Sequence, residues 1–523
     1  MRRTSLLEYT QMNILMVAAE NGTLPGGKVG GIGDVVRDLP PALAATGASI
    51  QVVMPGYQVF SKLEQAELVG HLDVPFGGTV ETVTLVKIDT GNGVDLWIID
   101  SPLLAPQGAG RVYCHDPDSQ PFATDATKFA LFSAAVCELL LHRHFGVLDF
   151  VHLHDWHAAF VAMLLRYHSR YQAERTQRLV YTIHNLALQG IRPVDGNPSA
   201  LKTWFPDFGA VDHQIMDLRY PDCINPVRAA INLCDTIHTV SPSYILEIQE
   251  PTNEKLGFYG GEGLDRDLRA AAAEDRLVGV LNGCDYADTP KKIPSWKRML
   301  AVAEQAVTAW SLAEAADVHT LALSRIAKWK SQPSPTCVLT SVGRATDQKL
   351  RILREGLTPQ TSSLAQILNQ LPPDAKLIMT GSGDAAYETF LFETAKTHDN
   401  FLFLRGYSEA LGTILYAGGD LFLMPSSFEP CGISQLLAMR AGQPVVAHAV
   451  GGLRDTIIDN ETGFLFNGAN PRAQSLELVG TVAYAMELFY MNPSRYRLIR
   501  EAASKVRFEW SKIAKQYRQS IYV

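Results

Sequence analysis

The sequence lacks several features at once. No uninterrupted apolar run reaches the roughly 18 residues a spanning helix needs, and the longest candidate, Phe129–Cys137, is stopped by Glu138. Only seven cysteines occur in 523 residues. Their odd number and scatter fit neither a disulfide framework nor a zinc module, which points to a reducing, cytoplasmic setting. There is no basic stripe and the formal net charge is −8, so a nucleic-acid partner held by broad electrostatics is not expected. Gly 40 and Pro 28 are near average for this length, which excludes collagen-like and low-complexity classes. No apolar segment follows Arg2 and Arg3 at once. Asn13–Ala19 is too short for a signal peptide and reads as a strand, leaving residues 1–11 as a loose extension.

What is present is ample core material: 47% hydrophobic and 19% charged residues. The length favours two large domains or three smaller ones. Ile14–Ala19, Ile50–Met54, Phe150–Leu153, Leu179–Ile183 and Thr236–Val240 read as buried strands separated by helical stretches, the signature of a parallel sheet covered on both faces. Leu68–Val74, Val80–Ile88 and Val94–Ile99 lie closer together and read as a local antiparallel insertion. A second series comprises Thr336–Val342, Lys376–Met379, Phe401–Leu404, Asp420–Met424 and Pro444–Ala447, with helical patterns such as Leu350–Leu371 and Ile433–Ala441 between. Trp296–Trp310 and His319–Trp329 also read as helices. The expectation is an α/β protein of two doubly wound domains, 12–284 and 285–500, with a C-terminal helix over 501–523 packing back on the first. Ligands of such sheets bind beyond the carboxyl ends of the strands, so an interdomain cleft is the expected site.

Several strand ends carry residues suited to chemistry. After the first comes Gly26-Gly27-Lys28-Val29-Gly30-Gly31-Ile32-Gly33. A dinucleotide fingerprint fails because Val36 stands at the third glycine. A P-loop fails because Val29 replaces the magnesium-binding Ser or Thr. A phosphate cradle and a tight turn beside a surface lysine remain. His152-Leu-His154-Asp155-Trp-His157 ends another strand. It reads as a metal cluster, as a buried hydrogen-bond cluster with Asp155 capping the next helix, or as a polar wall with Asp155 facing substrate. His184-Asn185 follows a third strand and is either structural or part of the same wall.

In the second half, Gly343-Arg344…Gln348-Lys349 places an arginine fork and a mobile ammonium at a strand-to-helix turn, an arrangement suited to a diphosphate. Each charge pair at about 4 Å is worth roughly 4 kcal/mol in a partly shielded site. The helix terminus adds only about 0.3–1 kcal/mol, so the side chains dominate. The R-x4-K spacing alone is also common on solvated helices. Pro425-Ser-Ser-Phe428-Glu429-Pro430-Cys431-Gly432-Ile433-Ser434 puts a carboxylate in a Pro/Gly-shaped loop before a helix. It suits contact with sugar hydroxyls beside phosphate, or else capping of that helix.

Together these motifs resemble the bacterial glycogen and starch synthase family. Lys28-Val-Gly-Gly-Ile-Gly-Asp-Val, His154-Asp-Trp-His157, His184-Asn-Leu-Ala, Val240-Ser-Pro-Ser-Tyr244 and Leu281-Asn-Gly283 match its first domain. Gly343-Arg344…Gln348-Lys349, Thr380-Gly-Ser-Gly-Asp384, Gly406-Tyr407 and Phe428-Glu-Pro-Cys-Gly432 match its second. The resemblance implies a GT-B fold and retaining transfer of glucose from a nucleotide-diphosphate glucose, ADP-glucose being the common bacterial donor, to the non-reducing end of an α-1,4-glucan. It implies no cofactor, no dedicated metal, no nucleic acid and no membrane. By the same resemblance Arg344, Lys349, Glu429, His184 and Asp155 carry the catalysis. Lys28, Gly30, Gly31, Asn185, Tyr407, Cys431, Gly432 and Ser434 bind the donor, with Tyr407 stacking on the base. The attack is expected on the front face through an oxocarbenium-like state, with the leaving phosphate helping to take the acceptor proton.

This chain departs from the family at Asp217-Leu-Arg-Tyr-Pro-Asp-Cys, which replaces H-G-L-E-F, at Leu188, where an aromatic is usual, and at Leu350 after Lys349. Most departures fall on the acceptor side. A retaining transferase with a small-sugar acceptor, of sucrose-synthase type, and a non-catalytic glucan- or nucleotide-binding relative therefore stand as alternatives.

Overall fold

The computed structural model describes residues 12–287, 292–358 and 361–523; the extension read over 1–11 lies outside them. The chain divides into two compact units. Unit 1 runs to Pro251 and includes Gly260–Gly283 and Phe508–Val523, while unit 2 holds Thr252–Tyr259 and Cys284–Arg507.

Unit 1 is built on nine strands: β1 (Asn13–Val17), β2 (Ser49–Pro55), β3 (Ala66–Phe76), β4 (Thr79–Asp89), β5 (Val94–Asp100), β6 (Phe150–His154), β7 (Leu179–Ile183), β8 (Thr236–Thr239) and β9 (Leu277–Gly279). They lie in the order β9-β8-β7-β6-β1-β2-β5-β4-β3. Apolar residues run unbroken along the central strands because both faces are covered. Leu15 and Val17 of β1 enter one core, while Ile14 and Met16 enter the other. The third run of the expected insertion, β5, pairs parallel with β2 and antiparallel with β4. The insertion is therefore not separate: it extends the main sheet, in which only β4 runs against the other strands, between β5 and the edge strand β3. Helix α1 (Gly31–Ala44) follows β1, α2 (Ala123–Leu141) precedes β6, and α3 (Asp155–Tyr167) follows β6.

Unit 2 is a six-stranded, wholly parallel sheet: β10 (Cys337–Val342), β11 (Ala375–Gly381), β12 (Phe401–Arg405), β13 (Leu421–Met424), β14 (Val445–His448) and β15 (Phe464–Phe466). The order is β12-β11-β10-β13-β14-β15. Here too alternate residues feed two cores, Leu339 into one and Val338 into the other. One reading needs correction. The stretch Leu350–Leu371 is not one helix: α4 (Asp347–Arg354) and a helix over Ser363–Gln370 are separated by a short antiparallel pair, Gly356–Thr358 with Thr361–Ser362. Gly356 and Pro359 are the residues that interrupt the helical period there. A sixth strand, β15, beyond the five expected, opens at Phe464 against β14.

The helix α5 (Ser434–Arg440) follows β13. At the end of the chain, α6 (Trp510–Ser520) packs in unit 1, where Trp510, Ile513 and Tyr517 join the core over α1. No helix among the described residues is long and apolar enough to cross a membrane.

Candidate active site

In unit 2 the carboxyl ends of β10, β11 and β13 enclose a small hollow lined by Gly343, Arg344, Lys349, Thr380, Pro425 and Ser426, among others. The parallel register Val342↔Thr380 brings two of these loops side by side. Arg344 sits exposed on the turn before α4, with no ion-pair partner among the described residues. Lys349, one turn into α4, is more enclosed. Its ammonium pairs with the Glu429 carboxylate, and Ser426 Oγ donates to the same oxygen at 2.9 Å. Glu429 is 6% exposed. It faces the lysine and serine, and α5 has no side-chain cap, so the capping reading of Glu429 fails.

The Phe428–Gly432 loop is held from three sides. Gln348 Nε2 donates to the Phe428 carbonyl at 3.1 Å, and the Ser427 amide donates to the Gln348 carbonyl at 2.8 Å. The Gly452 amide donates to the Glu429 carbonyl at 3.0 Å. Gly451 has φ +40, and a Cβ there would lie 2.1 Å from the Glu429 carbonyl oxygen, so the backbones meet at a distance only glycine allows. Gln435 Nε2 closes the third side on the Cys431 carbonyl at 3.0 Å. Cys431 is buried, and no disulfide occurs among the described residues. Ser434 Oγ is 3.0 Å from Tyr416 Oη. Tyr407 follows β12 and is 61% exposed. One supporting residue was not singled out in the sequence. Tyr259 packs at a tilt against Phe428 with ring centroids 4.8 Å apart, and its hydroxyl lies 3.2 Å from Asp347 of α4. Nothing in the local sequence around Tyr259 signals this contact.

In unit 1 the glycine loop after β1 already holds an anion, the chain's own. The Val29 and Gly30 amides both donate to Glu20 Oε2 at 2.7 Å, and Tyr113 Oη donates to Oε1 at 2.5 Å. Lys28 pairs with Asp34 at 2.7 Å. Gly31 starts α1, and a side chain there would meet nothing. Glu20 was missed; the available signal was a carboxylate within a few residues of an apolar strand's carboxyl end, facing a run of glycines.

The histidine–aspartate cluster lies where β6 and β7 end together, since His154 is in register with Thr182. Asp155 is the first residue of α3, at φ +55, a conformation that Asp and Asn tolerate better than most residues. Its carboxylate does not cap α3. It turns to the neighbouring strand end and accepts from the His184 amide at 2.7 Å and the Asn185 amide at 3.4 Å. Burial pushes its pKa up to about 7 against the lowering effect of those two amides. His154 Nδ1 and His184 Nε2 are 2.9 Å apart. Burial holds both imidazoles well below the usual histidine range, so both are neutral. Asn185 Oδ1 accepts from the Ala187 amide at 3.0 Å and shapes the loop. That loop is seated on Trp156: Gly190, at φ +65, lies where a Cβ would fall 2.2 Å from the indole. Among the described residues no group of three or more His, Cys, Asp or Glu is arranged to hold a metal ion.

Asp217 and Arg219, from the stretch that departs from the family motif, join Gln189 and Asn225 in a network beside this loop. Arg219 Nη2 donates to Gln189 Oε1 at 2.6 Å, and Asn225 Nδ2 donates both to Gln189 Oε1 and to Asp217 Oδ2 at 2.7 Å. Leu188 and Tyr220 are exposed.

Two Rossmann-like units, one gathering an arginine and a lysine at its strand ends and the other a neutral histidine pair with a buried carboxyl, define a GT-B glycosyltransferase. The family model of the starch synthase catalytic domain matches residues 13–270, and that of glycosyl transferases group 1 matches 338–480. The glycogen synthase of Streptococcus equi subsp. equi is 32% identical over 97% of this chain and 98% of its own. That of Geobacillus thermodenitrificans is 31% identical over 97% of each. Among solved structures, the catalytic domain of starch synthase IV from Arabidopsis thaliana, bound to ADP and acarbose, superposes with a TM-score of 0.74 at 24% identity, covering 98% of this chain and 99% of that one. The chain belongs to the glycogen synthase family.

Proposed function

We propose that the chain transfers glucose from ADP-glucose to the non-reducing end of an α-1,4-glucan with retention of configuration. The observation that carries this reading is the placing of Arg344 and Lys349 on one hollow, with Lys349 held against Glu429. A departing diphosphate needs fixed positive charge at the moment its bond to glucose breaks, and such preorganised electrostatics is the main catalytic term available. In this reading Arg344 meets the diphosphate from solvent. Lys349 turns from Glu429 to the same phosphates, and Glu429 and Cys431 border the glucose. Gly432 and Ser434 border the phosphates, and Tyr407 stacks on the base.

Asp155, His184 and Asn185 serve the sugar from unit 1. The Asp155 carboxylate balances positive charge growing on the anomeric carbon, and His184 donates to a glucose hydroxyl. Lys28, Gly30 and Gly31 are assigned to the donor phosphates, with Lys28 exchanging Asp34 for them. The acceptor hydroxyl attacks the anomeric carbon on the face the diphosphate leaves. Its proton passes to the leaving phosphate oxygen.

The test supplies purified protein with ADP-glucose or UDP-glucose, and with glycogen, maltotetraose or fructose. ADP release with lengthening of a glucan is the expected result. Release only with UDP-glucose overturns the donor, and release only with fructose overturns the acceptor in favour of the small-sugar alternative. Binding with no release from any pair overturns the enzyme reading itself.

A further inference from the structure

The glycine loop after β1 falls into two parts that are held differently. The first part is tied by its own backbone. The Asn21 amide donates to the Gly27 carbonyl at 2.8 Å, the Gly27 amide to the Leu24 carbonyl at 2.9 Å, and the Gly22 amide to the Gly33 carbonyl of α1 at 2.8 Å. The second part, Lys28-Val29-Gly30, belongs to no helix or strand, and Val29 is 50% exposed. Among the described residues the Val29 and Gly30 amides share one partner, Glu20 Oε2, at 2.7 Å from each. Tyr113 Oη donates to the other carboxylate oxygen. Glu20 itself is only 1% exposed. Gly33 makes room for this arrangement. A Cβ there would lie 2.9 Å from Lys28 Cβ and 3.2 Å from Glu20 Oε2, so the lysine stem and the carboxylate both rest against α1 at that residue.

A carboxylate in this place is either a plug that a phosphate displaces or a fixed post around which the loop is built. Burial decides between the two. A phosphate that took the Val29 and Gly30 amides would leave Glu20 Oε2 in the interior without a partner, and an unpaired buried charge is strongly disfavoured. The bonds it would have to break are charge-assisted, the stronger kind. Glu20 is therefore the post, and the two amides it holds are not free for the donor. Of the loop residues assigned to the donor, Gly30 has given its amide to Glu20. The donors left in the loop are the Lys28 ammonium and the Gly31 amide, which as the first residue of α1 has no partner within the helix.

We infer that Glu20 is a positioning residue for the nucleotide-sugar donor: it pins Val29 and Gly30, and so sets where Lys28 and Gly31 stand on either side of them. The step to the donor rests on the function proposed above; the pinning of the loop does not.

The experiment joins hydrogen exchange, read by mass spectrometry on overlapping peptides that resolve residues 28–31, to steady-state kinetics with ADP-glucose and glycogen. In the wild type the Val29 and Gly30 amides are expected to exchange at least about tenfold more slowly than those of an open loop. Glu20→Ala removes the post, and exchange at both amides should quicken. The KM for ADP-glucose should rise about tenfold, the equivalent of ordering one backbone residue anew at each binding event. The turnover number and the KM for glycogen should change little. Removing a negative charge by itself favours an anionic donor, so a rise in KM runs against electrostatics and reports the loop. Glu20→Gln keeps one acceptor oxygen and should recover part of both readouts; should Glu20→Ala not fold, Glu20→Gln shows the same two changes at smaller size. A lower KM for ADP-glucose in either variant would make Glu20 a plug and overturn the inference. Wild-type amides that exchange as fast as those of an open loop would overturn it too, as would faster exchange in Glu20→Ala with an unchanged KM. If the wild type releases no ADP from ADP-glucose, the functional reading fails, and the exchange rates still decide whether Glu20 pins the loop.

Discussion

Two cations line one hollow, but their surroundings differ, and so will the consequences of removing them. Arg344 is exposed and makes no ion pair among the described residues, so Arg344→Ala should leave the melting temperature unchanged. Activity should fall about 10²–10³-fold in kcat/KM, the usual effect of losing one preorganised charge contact. Lys349→Ala should cost a similar factor and also destabilise by about 1–3 kcal/mol, because it leaves the buried Glu429 carboxylate without its ammonium. Adding Glu429→Ala to that variant should return part of the stability and none of the activity; recovery of both would show that the pair is structural. Asp155 gives a second prediction at this scale. Its pKa, raised to about 7 by burial, means that the carboxylate needed to balance a cationic sugar is half protonated near neutrality. The rate should therefore rise with pH through about 7. His184 adds no step there, since its own pKa is held well below the usual range. Asp155→Asn suits the left-handed backbone at this position and should lower kcat while removing that step. A wild-type pH profile flat from 6 to 8 would count against the assignment.

Strand ends, the loops after them and the first turns of the following helices carry the chemistry, and the Phe428–Gly432 loop is fixed by a close backbone approach from another segment. The Val450-Gly451-Gly452 turn presses on the Phe428–Gly432 loop so tightly that a Cβ at Gly452 would lie 2.3 Å from the Cys431 carbonyl oxygen. Gly452→Ala should displace that loop, raising donor KM several-fold and costing about 1–3 kcal/mol in thermal or urea unfolding. The same distinction explains what could be read from the sequence. Strands of both sheets were legible because residues buried on two faces give unbroken apolar runs. The Phe428–Gly432 loop was legible because its proline and glycine stand directly between a strand and a helix. Glycine and proline after Arg354 broke the helical period, yet the length of the surrounding pattern concealed the interruption. Contacts made through space were not legible. Tyr522 is 370 residues from His152, Tyr113 is 93 from Glu20, and no local period links either pair. Asp155 illustrates the limit: helix-capping chemistry is visible in sequence, but only the parallel register of β6 and β7 shows that its carboxylate reaches the His184 amide.

At the scale of the whole molecule the two units differ most in the neutral imidazole they bury. Unit 1 holds His152, His154, His157, His184 and His238, whose pKa values burial lowers, to about 3 for His157 and about 4 for His238. Unit 2 has His448, lowered to about 4. A histidine that titrates lower when folded stabilises fully above its unfolded value near 6.5. That stability is lost as pH falls, because the unfolded chain takes up the proton first. Each such group contributes a slope of about 1.4 kcal/mol per pH unit. Asp155 acts in the opposite sense: its folded pKa is raised to about 7, so it gains stability as pH falls from there toward the ordinary carboxylate value. Five such imidazoles against the one carboxyl of Asp155 make the stability of unit 1 fall more steeply on acidification below about pH 6 than that of unit 2 with its His448. Calorimetry of the intact chain at pH 7.5, 6.0 and 5.0 should therefore resolve two transitions that separate on acidification. The one belonging to unit 1 should fall first and furthest, and tyrosine fluorescence should change with it as Tyr517 and Tyr522 leave the core. His238→Asn, removing one of these five imidazoles, should reduce the pH slope of that transition whatever it does to stability at neutral pH. Transitions that descend in parallel would mean that the buried imidazoles do not set the acid limit of unit 1.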